Sequence, residues 1–221
     1  MRKTIIVILS CVLMFLFSST SHAISLELVP SMDSVFVNDI FSIDLVVSGL
    51  GNEAAPSVGS FDLNVAFDPL IFAYVDHSLG PYLGDISLGE AIDWSPTEPI
   101  FPGIINLNEL SLLDAYPDSG PSYIPPYLDE MQPASFNLAS LTFRALDPAD
   151  GSLMQIQIDE TLGQGVFDSL GYIFDDIDAS GESLIDVVKP VPEPATILLV
   201  MSGLTGLGIF GRKRFGKQPG L

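Results

Sequence analysis

Histidine is the side chain best suited to proton transfer at neutral pH, and beyond residue 23 this sequence has only one, His77. A Ser-His-Asp triad would have to use it. His77 follows an apolar run that is typical of a strand, so we predict a solvated turn residue and not a catalytic base. The sequence has no Gly-x-Ser-x-Gly elbow, phosphate loop or His-Glu-x-x-His helix. We therefore predict no catalytic residues.

Carboxylates are the abundant chemical groups. Residues 24–189 hold 27 acids against two bases, a net charge of −25. Such a surface repels phosphate backbones, which argues against nucleic acid as a partner. A glycosidase carboxylate pair stays open, because so many acids offer many pairs, but abundance by itself indicates only an acidic surface.

The segment Asp176–Glu182 has the oxygen spacing that begins an EF-hand calcium loop. Val187 stands where such a loop needs a bidentate Glu, and strand-like segments flank it. Calcium stays an open alternative, but we predict a plain β-turn, with no metal ligands and no cofactor. The only cysteine, Cys11, lies in the first apolar run, which excludes disulfides and thiol chemistry from the rest of the chain.

Several aromatic residues fall in a region rich in Pro and Tyr, from Gly80 to Pro133, which we predict to be mostly loops around one strand at Ile104–Leu113. They are Trp94, Tyr82, Tyr116, Tyr123 and Tyr127. Aromatic rings on loops can stack on sugar rings. The alternative, which we favour, is that they cover the ends of the domain.

Short runs with a period of two surround that region. Apolar and polar residues alternate over 41–48, 60–67, 141–145 and 154–158, and turn-forming Gly, Pro, Asp and Ser residues separate the runs. Many short, half-buried strands without a helical run of comparable strength predict an all-β domain at 24–189, folded as an antiparallel β-sandwich.

The N-terminus has the three parts of a secretory signal peptide. Arg2 and Lys3 precede an apolar run from Ile5 to Phe17, and Ser21-His22-Ala23 has small residues at the positions that a signal peptidase reads. We predict residues 1–23 as a signal peptide that is cleaved after Ala23.

The C-terminal residues form a second signal. Val191-Pro192-Glu193-Pro194 precedes the uncharged stretch 195–211, which is followed by the basic cluster Arg212-Lys213-Arg214. As a helix this stretch spans roughly 25 Å, close to the hydrocarbon thickness of a bilayer. The basic cluster should stay cytoplasmic, so we predict a transmembrane helix at 195–211 with the domain outside.

These C-terminal residues resemble the PEP-CTERM sorting signal of Gram-negative bacteria, which the prediction assigns to residues 190–217. The resemblance implies that Pro192-Glu193-Pro194 is recognised by exosortase, a membrane protease or transpeptidase, in bacteria that make exopolysaccharide and biofilm. Alternating prolines suit this role, because they hold an extended backbone outside the bilayer.

A second resemblance concerns the domain. Val37–Val47, Val58–Pro69 and Leu138–Ala145 follow one another in the order of core strands in cohesin-like domains, which are jelly-roll sandwiches related to carbohydrate-binding modules. True cohesins bind a calcium-loaded dockerin. The long Pro/Tyr-rich insertion departs from a compact cohesin.

Together these features predict an exported, non-enzymatic protein of the cell envelope or extracellular matrix, anchored through its C-terminal helix at the cell surface or released after processing. The alternative is a carbohydrate- or protein-binding module of cohesin type, with polysaccharide or a protein as its partner. A glycoside hydrolase is a third alternative.

Overall fold

The alternating runs form strands in the computed structural model, which describes residues 24–117, 125–179 and 181–190. The strands are β1 (Ile24–Pro30), β2 (Ser34–Phe36), β3 (Ile40–Ser48), β4 (Val58–Ala66), β5 (Phe72–Leu79), β6 (Ala91–Asp93), β7 (Ile104–Ser111), β8 (Ser135–Ala145), β9 (Ala149–Gln157), β10 (Gly165–Asp168), β11 (Ile177–Asp178) and β12 (Glu182–Val188). One short helix, α1 (Leu128–Met131), and two 3-10 turns, Ile86–Leu88 and Glu160–Leu162, complete the described elements.

The strands pair into two sheets. The five-stranded sheet has the order β11-β1-β3-β8-β5. The seven-stranded sheet has the order β2-β12-β9-β4-β7-β6, and β10 also pairs with β4. Neighbouring strands are antiparallel except for β1 with β11 and β2 with β12. The predicted antiparallel β-sandwich is confirmed.

The core lies between the sheets because buried residues alternate with less buried ones along β3, β4, β7 and β12. Leu141, Phe143 and Ala145 of β8 are fully buried, and so are Leu63 and Val65 of β4. Aromatic rings fill one part of this core: the ring centroids of Phe41 and Phe72 lie 5.5 Å apart, and those of Phe67 and Phe143 lie 5.2 Å apart. Such edge-on contacts add to the stabilisation that burial gives.

The Pro/Tyr-rich region contains more order than its composition predicts. The strand predicted at 104–113 is β7, but β6 and α1 were not predicted. Gln132, which is buried, fixes the region to β4: its Oε1 accepts a hydrogen bond from the Val58 N–H at 2.7 Å, and its Nε2 donates to the Val58 carbonyl at 2.7 Å and to the Tyr82 carbonyl at 3.0 Å. The side-chain amide thus replaces a neighbouring strand at this point of β4.

The chain divides into two units, Met1–Val188 and Lys189–Leu221, and the sandwich belongs to the first. The predicted signal peptide and the predicted helix 195–211 lie outside the described residues. Within the described ranges, no helix has the length and apolar character needed to cross a bilayer.

Candidate ligand-binding face

Polar side chains occupy the outer face of the seven-stranded sheet where β4 pairs with β7. Asp62 lies opposite Asn108, and Asn64 lies opposite Asn106. The alternation of β4 places these residues outside because Phe61, Leu63 and Val65 are buried on the inner face.

These side chains are tied together by hydrogen bonds. The Asn106 amide donates to Asp62 Oδ1 at 2.7 Å and to Asn64 Oδ1 at 3.1 Å. The Asn108 amide donates to Asp62 Oδ2 at 3.1 Å. Both carboxylate oxygens of the partly buried Asp62 are therefore engaged by neutral donors.

Gln164 extends this arrangement beyond β7 and β4. Its Oε1 accepts from the Asn64 amide at 3.1 Å and from the Asp159 N–H at 3.0 Å, and its Nε2 lies 3.3 Å from Asp62 Oδ1. The five residues Asp62, Asn64, Asn106, Asn108 and Gln164 are referred to below as the amide network. Because every member is held by another member, the side chains are preorganised before any ligand arrives.

A groove of about 500 Å³ lies beside the network, a volume within the range of small-ligand sites. Its lining combines amides with apolar side chains: Asn64, Gln157, Gln164, Asp159, Ile100, Phe101, Ile104, Ile158 and Leu162. Two of the apolar residues project into solvent, since Phe101 is 65% exposed and Leu162 is 74% exposed.

Two tight turns position those exposed residues. Gly103, with φ of 81°, lies two residues after Phe101, and its carbonyl accepts the Phe67 N–H at 2.8 Å. A Cβ on Gly103 would lie 2.5 Å from the Phe67 carbonyl oxygen, so this turn needs glycine. On the other side, the Asp159 carboxylate accepts from the Thr161 N–H at 3.0 Å and caps the turn that carries Leu162.

Trp94 lies at the opposite side of the network and is 58% exposed. Its N–H donates to the Asn108 carbonyl at 2.8 Å, which continues the β6–β7 pairing by one residue. Alternation then gives Trp94 the same outer face as Asn108. The Ser95 hydroxyl accepts the Asn108 N–H at 2.9 Å and fixes this end of the face.

The chemistry of this face is neutral hydrogen bonding next to aromatic and aliphatic surface. Side-chain amides both donate and accept, and within the part of the chain that the structure describes, Asn106 Oδ1 and Asn108 Oδ1 have no hydrogen-bond donor from the protein. A face of this kind suits the binding of a ligand.

His77 lies elsewhere, and the prediction that it is a solvated turn residue was wrong. It belongs to β5, its side chain is 8% exposed, and its Nδ1 shares a hydrogen bond of 2.6 Å with the Tyr74 hydroxyl. Its Nε2 lies 3.6 Å from Asp93 Oδ2. Since β5 and β6 are edge strands of different sheets, this contact joins the two sheets along one side of the sandwich.

Glu109 is the carboxyl that sequence reasoning missed. It lies directly across from Asp93 in the β6–β7 pair and is completely buried, and neither carboxyl oxygen has a hydrogen-bond partner among the described residues. Burial, and secondarily the negative charge of Asp93, raises the pKa of Glu109 to about 8. The alternation of Ile105, Leu107 and Glu109 was the signal that could have revealed it.

The same environment acts on Tyr74. Burial, reinforced by the charges of Asp76 and Asp93, raises the pKa of its hydroxyl to about 12. The phenol therefore stays protonated. The four residues Tyr74, His77, Asp93 and Glu109 are referred to below as the seam cluster, because the contact between His77 and Asp93 joins the two sheets.

The other predicted residues are dispersed. Of the five aromatics, Trp94 and Tyr116 are exposed, Tyr82 packs against Phe136 with ring centroids 4.9 Å apart, Tyr127 is buried, and Tyr123 lies outside the described residues. The preferred interpretation, that these rings cover the ends of the domain, therefore fails for Trp94, which lies beside a sheet face.

In the segment Asp176–Glu182, Ile177 and Asp178 form β11 and Glu182 begins β12, while Ser180 lies outside the described residues. Over the described residues, no group of three or more His, Cys, Asp or Glu side chains could hold a metal ion. Ala23, the sorting residues Val191, Pro192, Glu193 and Pro194, and the basic cluster Arg212, Lys213 and Arg214 all lie outside the described residues.

Comparison with protein families supports the C-terminal assignment. The PEP-CTERM protein-sorting motif matches residues 190–214. This motif implies export and sorting at a membrane. No curated protein matches the chain in sequence.

Comparison with solved structures concerns the sandwich. A cohesin module from a family 33 glycoside hydrolase of Clostridium perfringens has a TM-score of 0.55 and 13% identity, over 77% of this chain and 100% of the module. A type II cohesin domain from the cellulosome of Acetivibrio cellulolyticus has a TM-score of 0.53 and 16% identity, over 74% and 95%. The cohesin CaCohA2 of Clostridium acetobutylicum has a TM-score of 0.51 and 18% identity, over 76% and 92%.

These findings define a class: the described domain has the fold of cohesin modules. More specifically, the chain combines this fold with a PEP-CTERM sorting motif at its C-terminal end. At these identities the structural likeness concerns the fold alone, and it transfers no binding residues.

Proposed function

We propose that this chain is an exported, non-enzymatic binding protein of the cell envelope or extracellular matrix, sorted through residues 190–217. In this proposal residues 1–23 are removed after Ala23, residues 24–189 form the binding domain, and the helix 195–211 with Arg212-Lys213-Arg214 halts in the membrane. An exosortase-type protease or transpeptidase then acts at Val191-Pro192-Glu193-Pro194. The observation that carries the proposal is the sorting motif adjoining a domain whose outer face is preorganised for binding.

The seam cluster supports a non-enzymatic role. His77 contacts Tyr74 and Asp93 but is almost completely buried, and the nearby Glu109 is enclosed in the core. Acid–base catalysis needs such groups within reach of a substrate. The face that is accessible, the amide network, has its carboxylate already engaged by three amide donors.

We expect an association with exopolysaccharide, because the resemblance to PEP-CTERM proteins implies a bacterium that secretes it. The binding partner in this setting is polysaccharide or another protein. A protein partner is favoured by one solved relative, a type I cohesin in complex with a dockerin from Clostridium thermocellum, with a TM-score of 0.50 and 13% identity.

The sorting proposal is tested with an epitope tag placed after Leu221 in a host that carries an exosortase. Replacing Pro192 and Pro194 by Ala leaves the apolar length and the basic cluster unchanged, so membrane insertion should persist. The double variant should nevertheless keep its tag in the membrane fraction, because Ala lets the helix extend through Glu193 and removes the extended backbone that a protease reads.

The matched control replaces Pro219, which lies beyond the basic cluster, by Ala. Wild type and this control should lose the tag equally. Equal retention of the tag in wild type and in the Pro192/Pro194 variant would show that the segment is only an anchor.

A further inference from the structure

We infer that the outer face of the seven-stranded sheet binds an uncharged polysaccharide chain, which lies in the groove between Phe101 and Leu162 and extends over the amide network toward Trp94. The inference deepens the proposed function, since it names the ligand of the binding domain. Four observations carry it: the hydrogen-bonding groups, their charge, the position of the aromatic rings and the dimensions of the face.

The hydrogen-bonding groups match sugar hydroxyls. A hydroxyl donates once and accepts, and a side-chain amide offers both functions within one plane. Asn64 and Gln157 line the groove, while Asn106 and Asn108 continue the amide surface along β7. Mutual hydrogen bonds hold Asn64, Asn106 and Asn108 in place, so little side-chain entropy is lost on binding.

The charge of the face argues for an uncharged ligand. The domain carries a large negative charge, so an anionic polysaccharide would be repelled. A basic peptide would have to compete with the neutral donors that already contact the carboxylates of Asp62 and Asp159. Amide groups and apolar side chains predominate among the residues that line the groove.

Exposed rings lie on both sides of the network. Phe101 borders the groove, and Trp94 lies beyond Asn108 on the same outer face. Large exposed aromatic side chains that adjoin ordered polar groups are typical of interaction sites, because the ring buries apolar surface while its neighbours make directional contacts.

The face is long enough for a chain and is not confined to one sugar. From β6 across β7 and β4 to β9 there are three inter-strand steps, or roughly 14 Å at the usual spacing of strands. The groove is partly open to solvent, and Asn64 belongs both to its lining and to the amide network. A chain bound in the groove therefore continues over the network toward Trp94.

The test uses the full chain purified in a detergent without a sugar headgroup. Native gels are cast with hydroxyethyl cellulose, xylan, galactomannan, dextran or alginate, and retardation measures binding. We expect at least one of the four uncharged polymers to retard the protein and alginate to have no effect. Phe101→Ala should weaken that binding about fivefold or more, and Gln157→Ala should weaken it as well.

The control is Phe36→Ala, which removes the same side chain from β2 at the far edge of the same sheet, where Phe36 is 51% exposed. This variant should bind as wild type does. Equal loss in both Phe variants would mean that retardation is non-specific, and the inference would then be wrong.

Other results also overturn the inference. In the gels, these are retardation by none of the four uncharged polymers, or retardation by alginate alone. A third is that the protein binds a purified calcium-loaded dockerin, that Phe101→Ala abolishes this binding, and that polysaccharides have no effect on it. None of these results contradicts the sorting proposal, which fails separately if the wild-type protein retains its C-terminal tag. A catalytic product from any of the polymers would contradict the non-enzymatic role.

Discussion

Asp93 and Glu109 face each other across the β6–β7 pair, and His77 Nε2 from the other sheet lies 3.6 Å from Asp93 Oδ2. Two carboxyls and an imidazole therefore meet where the two sheets approach along one side of the sandwich. Asp93 is partly exposed and has a partner in His77, whereas Glu109 is buried without one. Burial keeps the Glu109 carboxyl neutral, and the stability of the folded domain therefore depends on pH.

The first prediction follows from the pKa of Glu109, which is about 8 in the folded domain against 4.5 for the exposed group. Between these values the folded state keeps a proton that the unfolded state has released, so this residue makes stability fall as pH rises from about 4.5 to 8. Glu109→Gln keeps the shape and cannot ionise. Its melting temperature should equal that of wild type near pH 5 and exceed it by several degrees at pH 9.

The measurement is thermal unfolding of both proteins across this pH range, because their difference cancels the titration of the other acids. Asp150→Gln, near the start of β9, is a control and should leave the difference between the variants unchanged with pH. A constant difference between Glu109→Gln and wild type from pH 5 to 9 would mean that Glu109 ionises normally.

The second prediction concerns the register of β4. Phe61 is 1% exposed, so Phe61→Asp places an unpaired charge in the core and also removes an aromatic ring. The loss should be at least about 3 kcal/mol, enough to unfold a marginal domain. Phe36→Asp introduces the same group on an exposed side chain and should change stability little. Circular dichroism melts compare the two, and equal melting temperatures would show that the strand register is wrong.

The third prediction concerns Gln132. Its amide makes three hydrogen bonds to the backbone of Val58 and Tyr82, and Gln132→Ala would leave those backbone groups buried without partners. The expected destabilisation is roughly 2–4 kcal/mol. Gln155→Ala, on the outer face of β9, should cost less than about 0.5 kcal/mol. Urea denaturation of both variants measures the difference, and similar midpoints would contradict the role given to Gln132.

The fourth prediction concerns export. The basic start, the apolar run and Ser21-His22-Ala23 predict cleavage after Ala23. Mass spectrometry of protein from the envelope of an expressing host should find Ile24 at the N-terminus, and Ala23→Leu should reduce cleavage because the peptidase reads a small residue there. An intact Met1 on most wild-type molecules would exclude this site.

Many strands of the sandwich could be predicted from local patterns in the sequence. The alternation at 41–48, 60–67, 141–145 and 154–158 corresponds to β3, β4, β8 and β9, because two-residue periodicity depends only on which face of a strand is buried. The sorting motif is local for the same reason: a contiguous stretch of chain is what the export and sorting machinery reads. Both kinds of signal can be recognised without knowing which strands are neighbours.

The binding face and the seam cluster depend on which strands are neighbours, and local patterns do not contain this information. The amide network joins residues from Asp62 to Gln164, and the contact of Gln132 with Val58 spans 74 positions. Periodicity predicts that Asn64 and Asn106 point outward from their strands, but it contains no information that β4 pairs with β7. Pairing is settled by the combined burial of all the strands, which is a property of the whole chain, and the same combined packing encloses Glu109 beside Asp93 and leaves Trp94 and Phe101 on an open face.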